Sequence, residues 1–303
     1  MKNYKLSLII PANNEENNIE KMYQRCKEVL DDNVQYIFVD DGSNDNTLNE
    51  IRKIAQNDKD VLGLSFSRNF GKEAAIYCGL NYSKGEYTTI IDCDLQQDPS
   101  YILEMLNILD KDKDVDCVCA KQKKRKENTI LSIIKSIFYK TINSLSENDF
   151  ENGASDFRTF RSNIKEALLS LKETNRFLKG MFPWIGFNTK YIEYEVKERE
   201  SGKTKFSFKR LFTYALKGIT SFSNKPLLFS LYLGIISIII SLIYLFINLN
   251  VFDTNKLIVF LLLLLFGLLF MILSILGNYL GSIFDQSKQR PIYILKEEIG
   301  NDE

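Results

Sequence analysis

In YTTIIDCDLQ, residues 87–96, an apolar run ends directly in two aspartates. Tyr87–Ile91 predicts a buried strand, since short apolar runs between polar turns are typical of one. Asp92 and Asp94 then follow at its carboxyl end, which is where open α/β sheets bind their ligands. Two bare carboxylates are costly to bury, so this pair requires a compensating cation.

The residues around Asp92 and Asp94 leave two interpretations open. Carboxylate oxygens suit Mg²⁺ or Mn²⁺, which bind through one or two carboxylates and the phosphates of a substrate. The alternative is an acidic turn that caps the next helix, because Asp98 and Pro99 have the residue types of an N-cap and a first helical position. The first interpretation predicts a metal-assisted site for a phosphorylated substrate.

Strand and helix patterns alternate over the first 120 residues, which predicts a mainly parallel sheet with helices on both faces. The predicted strands are Leu6–Ile10, Tyr36–Val39, Val61–Ser65, Tyr87–Ile91 and Val115–Ala120. The predicted helices, from apolar residues at helical spacing, are Asn17–Leu30, Thr47–Ala55, Glu73–Asn81 and Pro99–Leu109.

Composition excludes several classes of function. The chain has 303 residues, 39 basic and 39 acidic residues, and no histidine. A Ser-His-Asp or Cys-His nucleophile and a histidine-ligated zinc site are therefore excluded. Zero net charge gives no indication of a nucleic-acid partner. The five cysteines lack metal or disulfide spacing, which favours a reduced setting, and we interpret Cys117 and Cys119 as packing residues.

The last third of the chain changes character. Leu227–Val251 and Leu257–Phe284 contain no charged residue, and each exceeds the roughly 20 apolar residues that span a bilayer. With only 252–256 between them, they predict a transmembrane hairpin with spans at about 227–250 and 257–282. The alternative is a pair of buried core helices, which such long uncharged runs disfavour.

Basic residues flank both outer ends of the predicted hairpin, so the positive-inside rule places both ends and the large domain in the cytoplasm. Before the hairpin, Phe206–Phe222 mixes aromatic and cationic residues, which predicts an interfacial helix. The amphipathic segment Ile130–Leu145 fits either core packing or the membrane surface, and we favour the surface. The predicted division is an α/β domain at 1–200, an interfacial segment at 201–226, the hairpin at 227–284 and a cytosolic tail at 285–303.

Polar residues also end the first two predicted strands. Pro11–Glu16 follows the first strand and Val39–Ser43 ends the second. Successive strand ends of a parallel sheet converge on one crevice, where a nucleotide would lie, and an aspartate there can accept a hydrogen bond from a base N–H. Alone, the second motif is as well explained by a turn and a helix cap.

Taken together, the chain resembles the family 2 glycosyltransferases of GT-A fold, and within them the polyprenyl-phosphate glycosyltransferases, similar to bactoprenol glucosyltransferases and dolichyl-phosphate mannose synthases. The resemblance covers most of the large domain and extends into the hairpin. It is carried by Pro11–Glu16, Val39–Ser43, Ser67–Ala75, Asp92–Gln96 with Pro99, Asp156–Arg158, Arg176-Phe177 with Gly180, Trp184–Phe187, Arg199–Lys205 and Gly218–Leu227.

The resemblance implies roles for particular residues. Asp94 and Asp156 are the implied catalytic residues, with orientation of Arg158 as the alternative role of Asp156. The implied metal ligands, for Mg²⁺ or Mn²⁺, are Asp92, Asp94 and Gln96. The implied nucleotide-sugar site is lined by Pro11, Asn13, Glu15, Asp40, Asp41, Lys72, Asp92, Cys93, Gln96 and Arg125. The implied ligands of the acceptor phosphate are Arg158, Arg199 and Lys205.

Two departures from the family pattern leave the donor open. Asn13 stands where the family commonly has tyrosine. Ala120, Gln122 and Arg125 occupy the positions of a Gly-x-Arg-x-x-Arg pattern, so its first arginine is missing, and Lys121 or Lys123 is the candidate substitute.

The implied activity is inverting transfer of a sugar from a nucleotide diphosphate sugar, with UDP-hexose favoured, to undecaprenyl or another polyprenyl phosphate. The product would serve cell-envelope glycan modification. The implied setting is multi-pass in the cell membrane, with a separate flippase for the product; a homo-oligomer is compatible with the sequence. The alternatives are a transferase that uses GDP-mannose or a non-lipid glycan acceptor, and a non-catalytic membrane scaffold.

Overall fold

The computed structural model describes residues 4–30, 32–123, 154–174, 176–195 and 254–300. The strands within these residues are β1 (Leu6–Ala12), β2 (Val34–Asp40), β3 (Val61–Phe66), β4 (Tyr87–Ile90), β5 (Cys117–Gln122), β6 (Ala154–Arg161), β7 (Thr189–Tyr194) and β8 (Leu295–Ile299). The helices are α1 (Ile19–Val29), α2 (Thr47–Asn57), α3 (Lys72–Tyr82), α4 (Ser100–Lys111), α5 (Ser162–Ser170), α6 (Leu178–Trp184) and α7 (Thr254–Ser287).

The described strands form one sheet in the order β7-β5-β6-β4-β1-β2-β3-β8. Strands β4, β1, β2 and β3 run parallel, so their carboxyl ends meet at one edge. Strand β6 lies antiparallel between β4 and β5, while β7 is parallel to β5. The predicted α/β class with a mainly parallel sheet is confirmed.

Apolar side chains cover both faces of the sheet, as parallel strands under two helical layers require. Every residue of β2 is buried, including polar Gln35 and Asp40. Helices α1, α2 and α4 pack on one face, and α3, α5 and α6 pack on the other. Cys117 and Cys119 are buried without a disulfide, as predicted for packing residues.

All nine elements predicted in the first 120 residues are present, with ends that differ by a few residues. The fifth strand begins at Cys117 instead of Val115, because Val115 N–H closes a turn onto the Asp112 carbonyl oxygen. Strand β8 was not predicted. Its sequence LKEEI has three charged and two apolar residues, and it pairs antiparallel with β3.

The C-terminal region differs in part from the predicted hairpin. The predicted span at 257–282 lies inside α7, whereas the span at 227–250, the interfacial helix Phe206–Phe222 and the segment Ile130–Leu145 fall outside the described residues. No membrane-spanning helix is identified in the described part of the chain, so the hairpin is not found there. The end of α7 contacts the α/β domain, because Gln286 accepts hydrogen bonds from the Thr174 N–H and hydroxyl.

Candidate active site

The turn after β4 holds Asp92 and Asp94 in defined positions. Gln97 binds Asp92 twice: its Oε1 accepts the Asp92 N–H at 3.0 Å, and its Nε2 donates to Asp92 Oδ2 at 3.3 Å. Asp94 Oδ1 accepts the Gln96 N–H at 3.2 Å. Leu95 has a backbone φ of 60°, a value that residues other than glycine rarely adopt. This left-handed residue reverses the chain directly after the second aspartate. Gln97 was not identified from the sequence as part of this site.

One ammonium group joins two of the predicted site residues. Lys72, the first residue of α3, donates from Nζ to Asp92 Oδ1 at 2.5 Å and to Asp156 Oδ2 at 2.8 Å. The sheet explains the meeting. Ile90 of β4 pairs with Arg158 of the antiparallel strand β6. Asp92 lies two residues after Ile90 and Asp156 two residues before Arg158, so both aspartates lie at the same edge of the sheet.

The charges of this group influence one another. Burial lowers the pKa of Lys72, but the charges of Asp156 and Asp92 outweigh burial and raise it. Burial alone would raise the pKa of Asp156, whereas Lys72 and then Lys179 hold it well below its usual range. Asp156 is therefore ionised at neutral pH. Its Oδ1 is buried and has no hydrogen-bond partner among the described residues.

The two aspartates at the end of β2 have backbone and hydroxyl partners. Asp40 accepts the Ser65 hydroxyl and the Ser43 N–H. Asp41 accepts the Phe70 N–H at 2.6 Å and the Gly71 N–H at 2.9 Å, so it holds the loop that leads into α3. Burial raises the pKa of Asp41, and these amide donors oppose that rise.

Close packing beside Asp41 depends on a glycine. Gly42 has a φ of 62°, and a Cβ added there would collide with the backbone of Arg68 and Asn69. The residue must therefore be glycine on two grounds, conformation and space. The turn of residues 41–43 and the loop of residues 68–71 form one packed unit beside the strand ends.

The residues after β1 lie against the same edge. Pro11 and Ala12 pair with Val39 and Asp40 in register, and Asn13 Nδ2 donates to the Asp41 carbonyl oxygen at 2.8 Å. Glu15 lies in the turn before α1, where its Oε2 accepts from Asn18 Nδ2 at 2.6 Å. The strand-end motifs Pro11–Glu16 and Val39–Ser43 are thus brought together as the sequence predicts.

Two further predicted residues are buried. Cys93 is 2% exposed, and burial raises the pKa of its thiol well above the usual value. Arg158 is 4% exposed; its guanidinium lies 3.9 Å from the centre of the Phe182 ring and donates to the Ser155 carbonyl oxygen. Its Nε has no partner in the described part of the chain. A role for Arg158 at the acceptor phosphate stays a prediction.

Glu73 is a site neighbour that the sequence did not single out. Its Oε2 accepts the Leu178 N–H at 3.1 Å, which links α3 to the start of α6. Burial, and then the charge of Asp156, raise the pKa of Glu73 to about 7. The sequence pattern did not distinguish Glu73, since it resembles an ordinary acidic residue in the first turn of a helix. Arg125, Arg199 and Lys205 lie outside the described residues.

The residues after β4 fit a divalent cation in the kind of donor they offer. Asp92 and Asp94 are two carboxylates separated by one residue, and Mg²⁺ or Mn²⁺ sites commonly take one or two carboxylates and complete the shell with water and substrate phosphates. The ammonium of Lys72 already shows that Asp92 attracts a positive charge. Within the described residues, no group of three or more carboxylate, cysteine or histidine side chains is placed to hold a metal. Substrate oxygens would therefore have to complete the shell.

Comparison with known proteins decides the family. Residues 7–169 match the model of glycosyl transferase family 2. The chain belongs to glycosyl transferase family 2. It is 38% identical to "Putative glycosyltransferase CsbB" of Bacillus subtilis, over 98% of this chain and 93% of that protein. It is 35% identical to "Bactoprenol glucosyl transferase" of Shigella phage SfV, over 97% of this chain and 99% of that protein.

Solved structures confirm the GT-A-like α/β fold of this family 2 chain. Glucosyl-3-phosphoglycerate synthase from Mycobacterium tuberculosis, in complex with Mn²⁺, UDP and glucosyl-3-phosphoglycerate, gives a TM-score of 0.51 at 18% identity over 72% of this chain and 78% of that one. Mannosyltransferase PcManGT from Pyrobaculum calidifontis, in complex with GDP-Man and Mn²⁺, gives a TM-score of 0.51 at 17% identity over 72% of this chain and 62% of that one. The chain is a glycosyltransferase.

Proposed function

We propose that this chain is a membrane-bound inverting glycosyltransferase that moves a hexose from a nucleotide diphosphate sugar, with UDP-hexose favoured, to a polyprenyl phosphate. The observation that carries the proposal is the edge where Asp92 and Asp156 meet across Lys72, beside the ends of β1 and β2. The near-full-length similarity to a protein named bactoprenol glucosyl transferase supports the acceptor class.

The donor side of the proposal rests on charge. A departing nucleoside diphosphate develops negative charge, and cations placed where that charge appears stabilise the transition state. Mg²⁺ or Mn²⁺ held by Asp92, Asp94 and Gln96 would supply Lewis-acid neutralisation there. The nucleotide would lie along the ends of β1 and β2, beside Pro11, Asn13, Glu15, Asp40 and Asp41. Cys93, which lies between the two aspartates in the sequence, is buried in the core beside this turn.

The acceptor side of the proposal rests on Asp156. A phosphate monoester has a second pKa of about 6, so it is largely dianionic at neutral pH and needs little help from a general base. An anionic acceptor needs cations to position it, and Arg158, Arg199 and Lys205 are the candidates that the family resemblance implies. We place Asp156 at this side, because it has one oxygen without a partner among the described residues and is suited to orient a cation. Its lowered pKa makes it a weak base, which favours orienting Arg158 over accepting a proton.

A single in-line displacement at the anomeric carbon inverts its configuration. We therefore expect an α-linked donor to yield a β-linked polyprenyl phosphate sugar. The acceptor phosphate would attack from the side of Asp156, and the diphosphate would leave on the side of Asp92 and Asp94.

Membrane attachment is proposed from the C-terminal sequence. Leu227–Val251 and Leu257–Phe284 carry no charge, and we propose that they form the hairpin that anchors the enzyme beside its lipid acceptor. Helix α7 supports the proposal, because it exposes large apolar side chains, and extended exposed apolar surfaces mark contact with a membrane or another protein. These exposed side chains include Leu262, Leu265, Leu269, Leu273, Leu276, Leu280 and Ile283.

The experiment that tests the proposed function uses the purified full chain in detergent, undecaprenyl phosphate, Mg²⁺ or Mn²⁺, and a panel of UDP- and GDP-sugars. Mass spectrometry of the extracted lipid should show one hexose added with at least one donor. Absence of a sugar-phosphate lipid with every donor and both metals would refute the proposal. Transfer to a glycan in place of the lipid would favour a different family 2 activity.

A further inference from the structure

Lys72 contacts both Asp92 and Asp156, and its side chain is partly exposed while the backbone before it is held by Asp41. Asp41 binds the N–H of Gly71, the residue before Lys72, so the start of α3 is tied to the end of β2. The Lys72 side chain is 39% exposed and has four flexible methylenes. It reaches Asp92 at 2.5 Å and Asp156 at 2.8 Å.

The ammonium of Lys72 lies on an Asp92 oxygen that a metal could use. Asp92 Oδ1 accepts from Lys72, and Asp92 Oδ2 accepts from Gln97. Each oxygen keeps a second lone pair, but a divalent cation that binds Asp92 must do so next to a positive charge, which repels it. The ammonium is a compact point charge with three rotatable donors, so it can exchange one anionic partner for another.

We propose that Lys72 is a positioning residue that couples metal binding to donor binding: it pairs with Asp92 in the donor-free protein and moves to the diphosphate when metal and donor bind. The inference rests on the proposed function, since it requires a nucleoside diphosphate at this edge. The diphosphate supplies a second anionic partner for the ammonium, which releases Asp92 to the metal. Metal and diphosphate then each favour the binding of the other.

Linkage makes the proposal quantitative. If UDP raises the affinity for Mn²⁺ by some factor, Mn²⁺ must raise the affinity for UDP by the same factor. Direct contact between metal and diphosphate contributes to that factor in any such site. Lys72 adds to it only if the side chain changes partner. A lysine that stays on Asp92 would weaken Mn²⁺ binding equally with and without UDP, so its removal would leave the factor unchanged.

The test measures Mn²⁺ binding to the purified full chain in detergent by electron paramagnetic resonance, with and without UDP, in the absence of acceptor. In Lys72→Met, we expect Mn²⁺ alone to bind about fivefold more tightly, and the UDP-dependent factor to fall by about fivefold, a change within the usual range for coupled sites. Lys72→Arg retains the positive charge and should retain most of the factor.

Two controls make each outcome decisive. Lys5→Met removes an exposed ion pair between Lys5, just before β1, and Asp110 of α4, and it should leave both Mn²⁺ affinities unchanged. Lys72→Gln keeps a hydrogen-bond donor and replaces Lys72→Met if circular dichroism shows that the latter is unfolded. An unchanged UDP-dependent factor in the folded variant would overturn the role of Lys72 and leave the proposed function standing. Failure of the wild type to bind UDP with Mn²⁺ would instead overturn the UDP donor, and this inference with it.

Discussion

At the scale of single residues, the carboxylates of the site differ in the partners they hold. Asp41 accepts backbone amides, and it fixes the loop before α3. Asp92 and Asp156 share the ammonium of Lys72. The first arrangement maintains the shape of the site. We propose that the second leaves Asp92 available to a metal once the ammonium moves to a phosphate.

Asp94→Ala is expected to remove catalysis while the protein stays folded and membrane-bound. We expect turnover to fall by about 10²-fold or more, the usual effect of removing a group that stabilises charge in the transition state. The rate of sugar-lipid formation and the melting temperature, measured in parallel, check this. Asp114→Ala, at an exposed position before β5, is the matched control and should retain normal turnover. Full activity in Asp94→Ala would refute the metal assignment.

Glu73 predicts a pH dependence of stability. Its pKa is about 7 in the folded chain against a usual 4.5, so between these values the folded state keeps a proton that the unfolded chain has released. The folded state then binds more protons, and stability falls as pH rises from about 4.5 to 7, then levels off. The facing charges are Asp156, Lys72 and Arg176.

Glu73→Gln is the variant that isolates this effect. The difference in melting temperature between Glu73→Gln and the wild type should shift in favour of the variant as pH rises from about 4.5 to 7, because the amide cannot ionise. Glu104→Gln, at an exposed position on α4, should follow the wild type at each pH. A constant difference between Glu73→Gln and the wild type from pH 5 to 8 would show that Glu73 is not protonated in the folded state.

At the scale of elements, β8 ties the C-terminal end of the chain to the sheet. Glu297 accepts two hydrogen bonds from the Arg52 guanidinium, at 3.0 and 2.5 Å, and Tyr293 stacks on Phe66 with ring centres 5.1 Å apart. The strand covers the edge of β3, where unpaired backbone groups would otherwise be exposed. Helix α7 and the α/β domain are therefore joined at both Gln286 and β8.

A double-mutant cycle with Arg52→Ala and Glu297→Ala tests this docking in solution. Both side chains are about one-third exposed, so we expect a modest coupling free energy of about 0.5–1 kcal/mol. Urea unfolding followed by the fluorescence of Trp184 would measure it. The exposed pair of Lys288 and Asp285 is the comparison and should couple less. Strict additivity for Arg52 and Glu297 would show that this ion pair does not contribute to the docking of β8.

The elements also show how far the sequence could be interpreted. The spacing and length of the apolar runs were sufficient to predict β1 to β5 and α1 to α4, because each of these elements carries a strong local apolar pattern. Strand β8 was missed because its stability comes from β3, Arg52 and Phe66, which are more than 200 residues away. Strand β6 lay in a motif singled out for chemistry, DFR at residues 156–158, and its role as an antiparallel central strand depends on partners that no local pattern specifies.

The candidate site was predictable to a similar extent. Strand ends followed by polar residues were enough to bring Asp41 and Asp92 to one edge. The bridge through Lys72 was not foreseen, although Lys72 itself was assigned to the donor site. It depends on the register of β4 with β6, which the sequence did not specify. Gln97 and Glu73 were missed for the same reason, since each matters through one long-range or turn-specific hydrogen bond.

At the scale of the whole molecule, the proposal joins a soluble donor site to a lipid acceptor. If the uncharged C-terminal segments anchor the chain, the full protein should sediment with membranes and remain in the pellet after extraction with alkaline carbonate. Peripheral attachment through basic residues alone would not survive that treatment. Release of the full chain into the supernatant would contradict the proposed anchor.

Transfer to a lipid phosphate is tested most sharply by the mass of the lipid product that the purified full chain forms from a nucleotide sugar, with undecaprenyl phosphate and undecaprenol offered as paired acceptors. We expect one hexose on undecaprenyl phosphate and none on undecaprenol, because the anionic phosphate is the nucleophile. Transfer to undecaprenol as well, or to neither lipid while the nucleotide sugar is consumed on another acceptor, would contradict it.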